Sequence, residues 1–339
     1  MWRVFFANHR SWVVGVGTFL LLLALACSRS QSEPLRLAPG DHEFGLQHQG
    51  RDRHYLVHVP PQVREALPLP VVLNFHGGGS NAAAQKDYSG MDRTADQEGF
   101  LVVYPDGSGP RTSRFLTWNA GRCCGYAMEQ DIDDVGFVLA LLDDLARRTP
   151  VDRSRIYATG LSNGAMMAYR MAVDAADHIA AIAPVAGAMG VEGGTPARPI
   201  PVLHIHSVDD PRALYEGGEG PPFPWTDRTV VHKPVEEAIR EWVEFDGCPT
   251  QPTIEATIVA EEGRADAGHT ATRYRYASCE GSAEVVFWQL TGAGHVWPAG
   301  QQDHLEQILG RSTQVIDANE VIWSFFSKHA LGEAANPTP

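Results

Sequence analysis

The chain has 339 residues and a formal charge of −14, with 41 acidic against 27 basic side chains. A surface that acidic argues against nucleic acid as a partner and against electrostatic capture by anionic lipid; it leaves neutral substrates open. The first segment is a targeting sequence by composition. Arg3 and Arg10 give a basic start, Trp12 to Ala26 carries no charge, and small residues follow at Ala24-Leu25-Ala26-Cys27,. The apolar stretch is shorter than the ~20 residues of a spanning helix. It therefore reads as a cleaved export signal over 1–26, with a retained N-terminal anchor as the alternative.

Cys27, preceded by Ala26, resembles the lipid-modified first residue of a bacterial lipoprotein, although Ala24 and Leu25 stand in swapped order relative to the usual pattern. Cysteine arithmetic agrees independently. Five cysteines are odd for an exported chain, and setting Cys27 aside leaves Cys123, Cys124, Cys248 and Cys279,. Four cysteines allow three pairings in an oxidising compartment. Cys248 with Cys279 is favoured, with Cys123 and Cys124 either an adjacent pair or two thiols. Residues 28–39 are polar and irregular and suit a tether. A single domain is expected over 40–332, with 333–339 a disordered tail.

Strand and helix signals alternate from there on. Arg53 to Val59 alternates like a strand, Leu69 to Phe75 is a continuous apolar strand, and Leu101 to Tyr104 is a third, closed by Pro105-Asp106-Gly107. Asp131 to Arg148 reads as a helix, with Val135, Val138, Leu139, Leu142 and Leu145 on one face. Its aspartate-rich start and its Arg147-Arg148 end match the helix dipole. A strand over 155–159 precedes a helix over 165–172. Further strands are expected over 179–185, 201–206 and 285–290, with helices over 231–245 and 317–331. Buried strands separated by helices predict an α/β fold with a mostly parallel sheet covered on both faces.

Between strand 155–159 and its helix stands Gly160-Leu161-Ser162-Asn163-Gly164, a G-x-S-x-G motif. A serine on a tight strand-to-helix turn is exposed and sits at a helix N-terminus, which suits a nucleophile attacking an ester carbonyl. Serine needs an imidazole to take its proton and an acid to hold that imidazole. Such groups are carried on loops at the carboxyl ends of strands. His295, in Gly294-His295-Val296-Trp297-Pro298 after strand 285–290, is the candidate base. After strand 201–206 come two adjacent aspartates, Asp209 and Asp210, which compete for the acid. The order serine, aspartate, histidine is that of an α/β-hydrolase. The oxyanion would be held by the backbone N–H of Asn163 and by Gly77 or Gly78 of His76-Gly77-Gly78-Gly79.

These motifs resemble the secreted esterase family of polyhydroxybutyrate depolymerases and feruloyl or acetylxylan esterases, within the α/β-hydrolases. The likeness spans about Arg53 to Ser327 and includes Phe75 to Gly79, Trp118 with Cys123-Cys124-Gly125, Asp133 to Phe137, Gly160 to Gly164, His206 to Pro211 and Gly294 to Pro298. It implies an α/β-hydrolase fold, a serine esterase working through an acyl-enzyme, and an acid at Asp210. The chain departs from the family pattern at Ser207, where glycine is usual, at Arg212-Ala213-Leu214, and at Val296, where threonine is common. These departures bear on substrate preference more than on catalysis.

Other features take plainer readings. His204 and His206 share a strand face but lack an obvious third ligand, and Asp131, Asp133 and Asp134 suit helix capping; no metal and no cofactor are expected. Trp297 and Trp118 are candidate substrate-binding aromatics, and Gly217 to Trp225 a candidate pocket wall. The expected partner is a small or polymeric ester, with membrane contact only through a lipid anchor. A chain of this size has no room for a separate polymer-adsorbing domain on a linker, which favours feruloyl or acetyl esters of plant polysaccharide fragments, or soluble hydroxyalkanoate oligomers. The reading from another class is a non-catalytic envelope lipoprotein that binds sugars or a protein on this scaffold.

Overall fold

A computed structural model describes residues 36–61, 68–111, 113–223, 227–301 and 306–332. The export signal, Cys27, most of the tether and the 333–339 tail lie outside these residues. In chain order the strands are β1 (Gly40–His48), β2 (Arg51–Val59), β3 (Leu69–Phe75), β4 (Leu101–Pro105), β5 (Val151–Leu161), β6 (Ala181–Val185), β7 (Val202–Ser207), β8 (Gly218–Glu219), β9 (Val231–His232), β10 (Thr253–Val259), β11 (Thr270–Tyr276) and β12 (Val285–Thr291). The α-helices are α1 (Ala82–Ser89), α2 (Asp92–Glu98), α3 (Gly125–Glu129), α4 (Asp134–Arg148), α5 (Asn163–Asp174), α6 (Val235–Phe245), α7 (Glu306–Leu309) and α8 (Ala318–Phe326).

Ten strands form one sheet in the order β1-β2-β4-β3-β5-β6-β7-β12-β11-β10. The six inner strands from β4 to β12 run parallel, and an antiparallel pair closes each side. The inner strands are buried along nearly their whole length because helices cover both faces, which is why β3, Asn74 apart, and β4 read as apolar runs,. One face packs on α4, α5 and α6 through residues such as Phe137, Met167, Tyr169 and Trp242. The other packs on α1, α2 and α8 through Ala82, Ala95, Ile322 and Phe326. This is the α/β-hydrolase architecture. All described residues belong to one compact unit. Among them, no helix is long and apolar enough to cross a membrane.

Three expectations need correction. The helix expected over 231–245 begins only at Val235, because Pro234 fixes its own backbone and pushes the preceding residue toward extended conformations,. Val231 and His232 instead pair with Gly218 and Glu219 as a small ribbon. The closing helix runs over Ala318–Phe326, capped by the Asp317 carboxylate, and not to Leu331,. Helix α4 starts at Asp134, since Asp133 spends its carboxylate capping the Gly136 N–H. Cys248 is joined to Cys279, as expected, and the adjacent pair Cys123–Cys124 is buried with its sulfurs paired.

Candidate active site

The turn after β5 carries Ser162 at φ 58° and ψ −117°. A side-chain-bearing residue avoids that region unless its surroundings hold it there. They do so tightly. The Ser162 N–H donates to the Val185 carbonyl at 2.9 Å and its own carbonyl accepts from Met166 N–H at 3.0 Å. A Cβ at Gly164 would lie 2.2 Å from the Phe75 carbonyl oxygen, and one at Gly160 would lie 2.5 Å from the same atom. The motif's two glycines thus let β5, β3 and α5 meet closely enough to force the turn. Ser162 is half-buried, while Gly160, Leu161, Asn163 and Gly164 around it are buried.

Asp210 and His295 sit beyond the carboxyl ends of β7 and β12, which neighbour each other two and three strands from β5. His295 Nδ1 lies 2.7 Å from Asp210 Oδ2, and both residues are buried. The other carboxylate oxygen accepts the N–H groups of Arg212 (2.7 Å) and Ala213 (2.9 Å). Burial works against the Asp210 charge, but the adjacent His295, its hydrogen bond, His206 and the Arg212 N–H outweigh it and hold the carboxyl below its ordinary value,. Asp209 is engaged elsewhere, its carboxylate accepting the Gly292 N–H at 2.6 Å. Ser207, the departure from the family pattern, donates its hydroxyl to the Ala293 carbonyl at 2.5 Å. Both contacts tie the acid-bearing turn to the loop that carries His295.

Gly77 and Gly78 also reach this corner. Cβ atoms built there would stand 3.6 Å from Ser162 Cβ and 3.5 Å from Asn163 Cβ respectively. The Gly77 carbonyl is turned inward, accepting from Ser80 N–H at 3.1 Å and facing His76 Nδ1 at 2.8 Å. His76 Nε2 accepts the Gly107 N–H at 2.9 Å, so Nδ1 carries the proton,. Burial pushes this imidazole down to about 4, the Gly77 carbonyl opposing and Arg53 adding to the shift. In a planar trans peptide the Gly78 N–H points opposite to the Gly77 carbonyl, away from the buried His76 ring. The Asn163 side chain, for its part, bridges the Trp118 backbone, accepting its N–H at 2.7 Å and donating to its carbonyl at 3.1 Å.

The two candidate binding tryptophans pack instead of facing a ligand. Trp118 is fully buried and donates its indole N–H to the His76 carbonyl at 3.0 Å; Trp297 is 1% exposed and donates to Asn319 at 3.1 Å. With their faces enclosed and their polar atoms satisfied, both are corrected to wall supports. Phe223 of the expected 217–225 wall does approach, its ring 3.5 Å from a Cβ built at Gly78, while Trp225 lies outside the described residues. Sequence reading missed His232, which the ribbon β8–β9 sets into a cleft lined also by Arg122, Cys123, Met166, Met189 and Val231. The cleft continues into a polar groove past Lys233, Glu237 and Glu241. His232 Nδ1 is buried without a partner, and burial, then the nearby His295, lowers this ring to about 4. A lone histidine inside a stretch that reads as helix gives no sequence signal for this placement.

One carboxylate cluster outside the site, Asp41, His58 and Asp92, has metal-like spacing. Lys86 Nζ already lies 3.0 Å from Asp41 and 2.5 Å from Asp92, so a side-chain cation serves this cluster.

A doubly covered parallel sheet with a strained serine turn and a histidine–aspartate pair on the neighbouring strand ends defines the α/β-hydrolase class. Within it, the sequence profile described as "Esterase PHB depolymerase" matches residues 53–240, and the chain belongs to that family of carboxylic-ester hydrolases. The chain is 28% identical over 81% of its length to a putative esterase, NocK, from Nocardia uniformis subsp. tsuyamanensis, covering 79% of that protein. It is 28% identical over 72% of its length to feruloyl esterase B of Piromyces equi, spanning 42% of it. Poly(3-hydroxyalkanoate) depolymerase C of Paucimonas lemoignei is 25% identical over 77% of the chain and is 63% covered. The chain thus spans less than two thirds of the last two relatives. Among solved structures, an acetyl xylan esterase from Aspergillus awamori superposes with a TM-score of 0.52 at 15% identity, over 84% of this chain and 99% of that one, which speaks to the fold.

Proposed function

We propose that this chain is an exported serine carboxylic-ester hydrolase working through an acyl-enzyme. Ser162 Oγ attacks the ester carbonyl and passes its proton to His295 Nε2, while Asp210 holds the opposite ring nitrogen. The backbone N–H groups of Asn163 and of Gly78, with Gly77 behind it, hold the oxyanion. The leaving alcohol takes the proton from His295, and water then deacylates Ser162 through the same base. The observation that supports the reading is the positive-φ Ser162 turn after β5 together with a buried His295–Asp210 hydrogen bond of 2.7 Å beyond the ends of β7 and β12, on the same edge of the parallel sheet.

The favoured substrates are feruloyl or acetyl esters of plant polysaccharide fragments, or soluble hydroxyalkanoate oligomers. Residues 1–26 are read as the export signal, Cys27 as lipidated, 28–39 as a tether and 40–332 as the catalytic domain. A serine-reactive phosphonate should label the purified protein and fail to label Ser162→Ala. Methyl ferulate, acetylated xylan and hydroxybutyrate oligomers, assayed side by side, then separate the substrate classes. Labelling that persists in Ser162→Ala would remove the nucleophile assignment.

A further inference from the structure

Behind Asp210 lies a buried polar chain that the steps above do not use. Tyr169, on the face of α5 turned to the sheet, places its hydroxyl 3.0 Å from His204 Nδ1. His204 Nε2 lies 3.2 Å from His206 Nδ1. His206 Nε2 lies 2.8 Å from the Ala213 carbonyl and 3.5 Å from Asp210 Oδ2. All three side chains are at most 1% exposed.

The protons in this chain can be assigned by elimination. The Ala213 carbonyl only accepts, so His206 Nε2 carries a hydrogen. Burial, joined by His295 and opposed by the Asp210 charge and the Ala213 carbonyl, keeps His206 below its ordinary titration range, and burial with the adjacent His206 keeps His204 well below it, so both rings are neutral with one hydrogen each,. His206 Nδ1 is therefore an acceptor and must receive its hydrogen from His204 Nε2. That leaves His204 Nδ1 as an acceptor, and only the Tyr169 hydroxyl can donate to it. Every donor points the same way, from α5 toward the acid.

Reversing any member would set two lone pairs, or two hydrogens, against each other in a dry site, leaving a buried polar group unsatisfied. The groups packed around the chain leave little room for rearrangement. His206 faces Asp210, His295 and the Tyr215 ring, and His204 faces Phe287. Tyr169 faces Trp242 and the charge of Glu241.

We propose that Tyr169, His204 and His206 are positioning residues for ester hydrolysis: a one-directional donor chain that fixes the His206 tautomer and thereby the orientation of the Asp210 carboxylate toward His295. The proposal rests on the reading of Ser162, Asp210 and His295 as the catalytic set. It also links the helix that carries the nucleophile to the acid that serves the base, so that the turn after β5 and the turn after β7 are held in mutual register.

The test uses the full chain and 4-nitrophenyl acetate, with kcat and KM measured between pH 5 and 9 for the wild type, Tyr169→Phe, His204→Phe, His206→Phe, His206→Gln and Ser162→Ala. Tyr169→Phe removes one oxygen, which frees the His204 tautomer, and kcat should fall about tenfold, the worth of one buried hydrogen bond. KM should stay within about twofold, and the acid limb of the kcat/KM profile should move. His204→Phe should behave alike although it touches no member of the catalytic set. His206→Phe should lose more, and His206→Gln, whose amide can still donate to Ala213, should recover to within about threefold of wild type. If the phenylalanine variants of the histidines do not fold, Tyr169→Phe and His206→Gln carry the test. Wild-type kcat and an unmoved acid limb in Tyr169→Phe and His204→Phe would overturn the proposal, as would a His206→Gln no better than His206→Phe. Retained activity in Ser162→Ala would instead overturn the site reading beneath it.

Discussion

Two neighbouring aspartates show how far residue type goes and where geometry takes over. Asp209 and Asp210 are chemically identical in the sequence, and only register within a family pattern separates them. In the fold, Asp210 points inward to His295 and to the Arg212 and Ala213 N–H groups, whereas Asp209 points to the Gly292 N–H and remains exposed. Asp210→Asn should therefore lower kcat by about 10³–10⁴, because the amide no longer selects the needed imidazole tautomer. Asp209→Asn keeps an acceptor for Gly292 and should cost less than about tenfold. Steady-state rates of both variants on one ester check this, and equal losses would move the acid assignment. The glycines of the nucleophile turn make a second residue-scale case. Gly164→Ala sets a Cβ against the Phe75 carbonyl at 2.2 Å, with backbone on both sides and nothing flexible to yield. It should lower the melting temperature and the activity together, whereas Gly79→Ala, with open space around its Cβ, should show only the strain of its positive φ,. The proposed nucleophile, its flanking glycines and the proposed base stand out in the sequence because each carries a chemical constraint on residue type. Trp118 and Trp297 were misplaced because an aromatic near a motif suits a pocket face and a packed wall equally well; burial, which local sequence does not encode, decided for the wall.

The parallel centre of the sheet announced itself as whole elements: long apolar runs for β3 and β4, and a well-formed amphipathic pattern for α4. The sheet's two margins did so only in part: β2 shows its alternation, whereas β1, β10 and β11 give no such signal. Strand β10 is exposed along almost its whole length, with Ile254, Ile258 and Val259 facing solvent, so no buried face imposes an alternation to be read. Helix α6 was overextended because its apolar period continues back through Val231, and the single residue Pro234 outweighs that period,. The same stretch holds His232, so one misread boundary hid a residue of the cleft. The covalent link in this region gives an element-scale prediction. Cys248 follows α6 and Cys279 follows β11, 31 residues apart. Their bond ties α6 to the antiparallel margin, the part of the sheet with the least burial. Replacing both with serine should cost about 3 kcal/mol through the freer unfolded chain and lower the melting temperature by roughly 5–10 °C. Thermal unfolding followed by circular dichroism checks this. The kinetic constants should hold, because neither cysteine touches the cleft; a large loss of kcat with little loss of stability would mean that this margin communicates with the site.

At the scale of the molecule, the pH dependence of stability follows from groups that folding places where their charge is unwelcome. Asp246 is the clearest. It ends α6, is fully buried, accepts the Ile200 N–H through Oδ1 at 2.9 Å, and leaves Oδ2 buried without a partner. Burial raises this carboxyl to about 7 against an ordinary value of 3.8, with the Ile200 N–H and Arg198 opposing the shift. A carboxyl whose titration point is raised by folding binds its proton more tightly in the folded state. Its contribution to stability is full below the unfolded value near 3.8, declines as the pH rises, and is lost once the pH has passed about 7. Asp246→Asn keeps the acceptor for Ile200 and removes the titration. The difference in melting temperature, variant minus wild type, should become steadily more positive from about pH 4 to pH 7 and level off above pH 8. The comparison is internal, so the many exposed acids of a chain at −14 cancel between the two proteins. A difference that stays flat across that range would show that Asp246 folds as an ordinary carboxylate, and that Oδ2 finds a partner in solution.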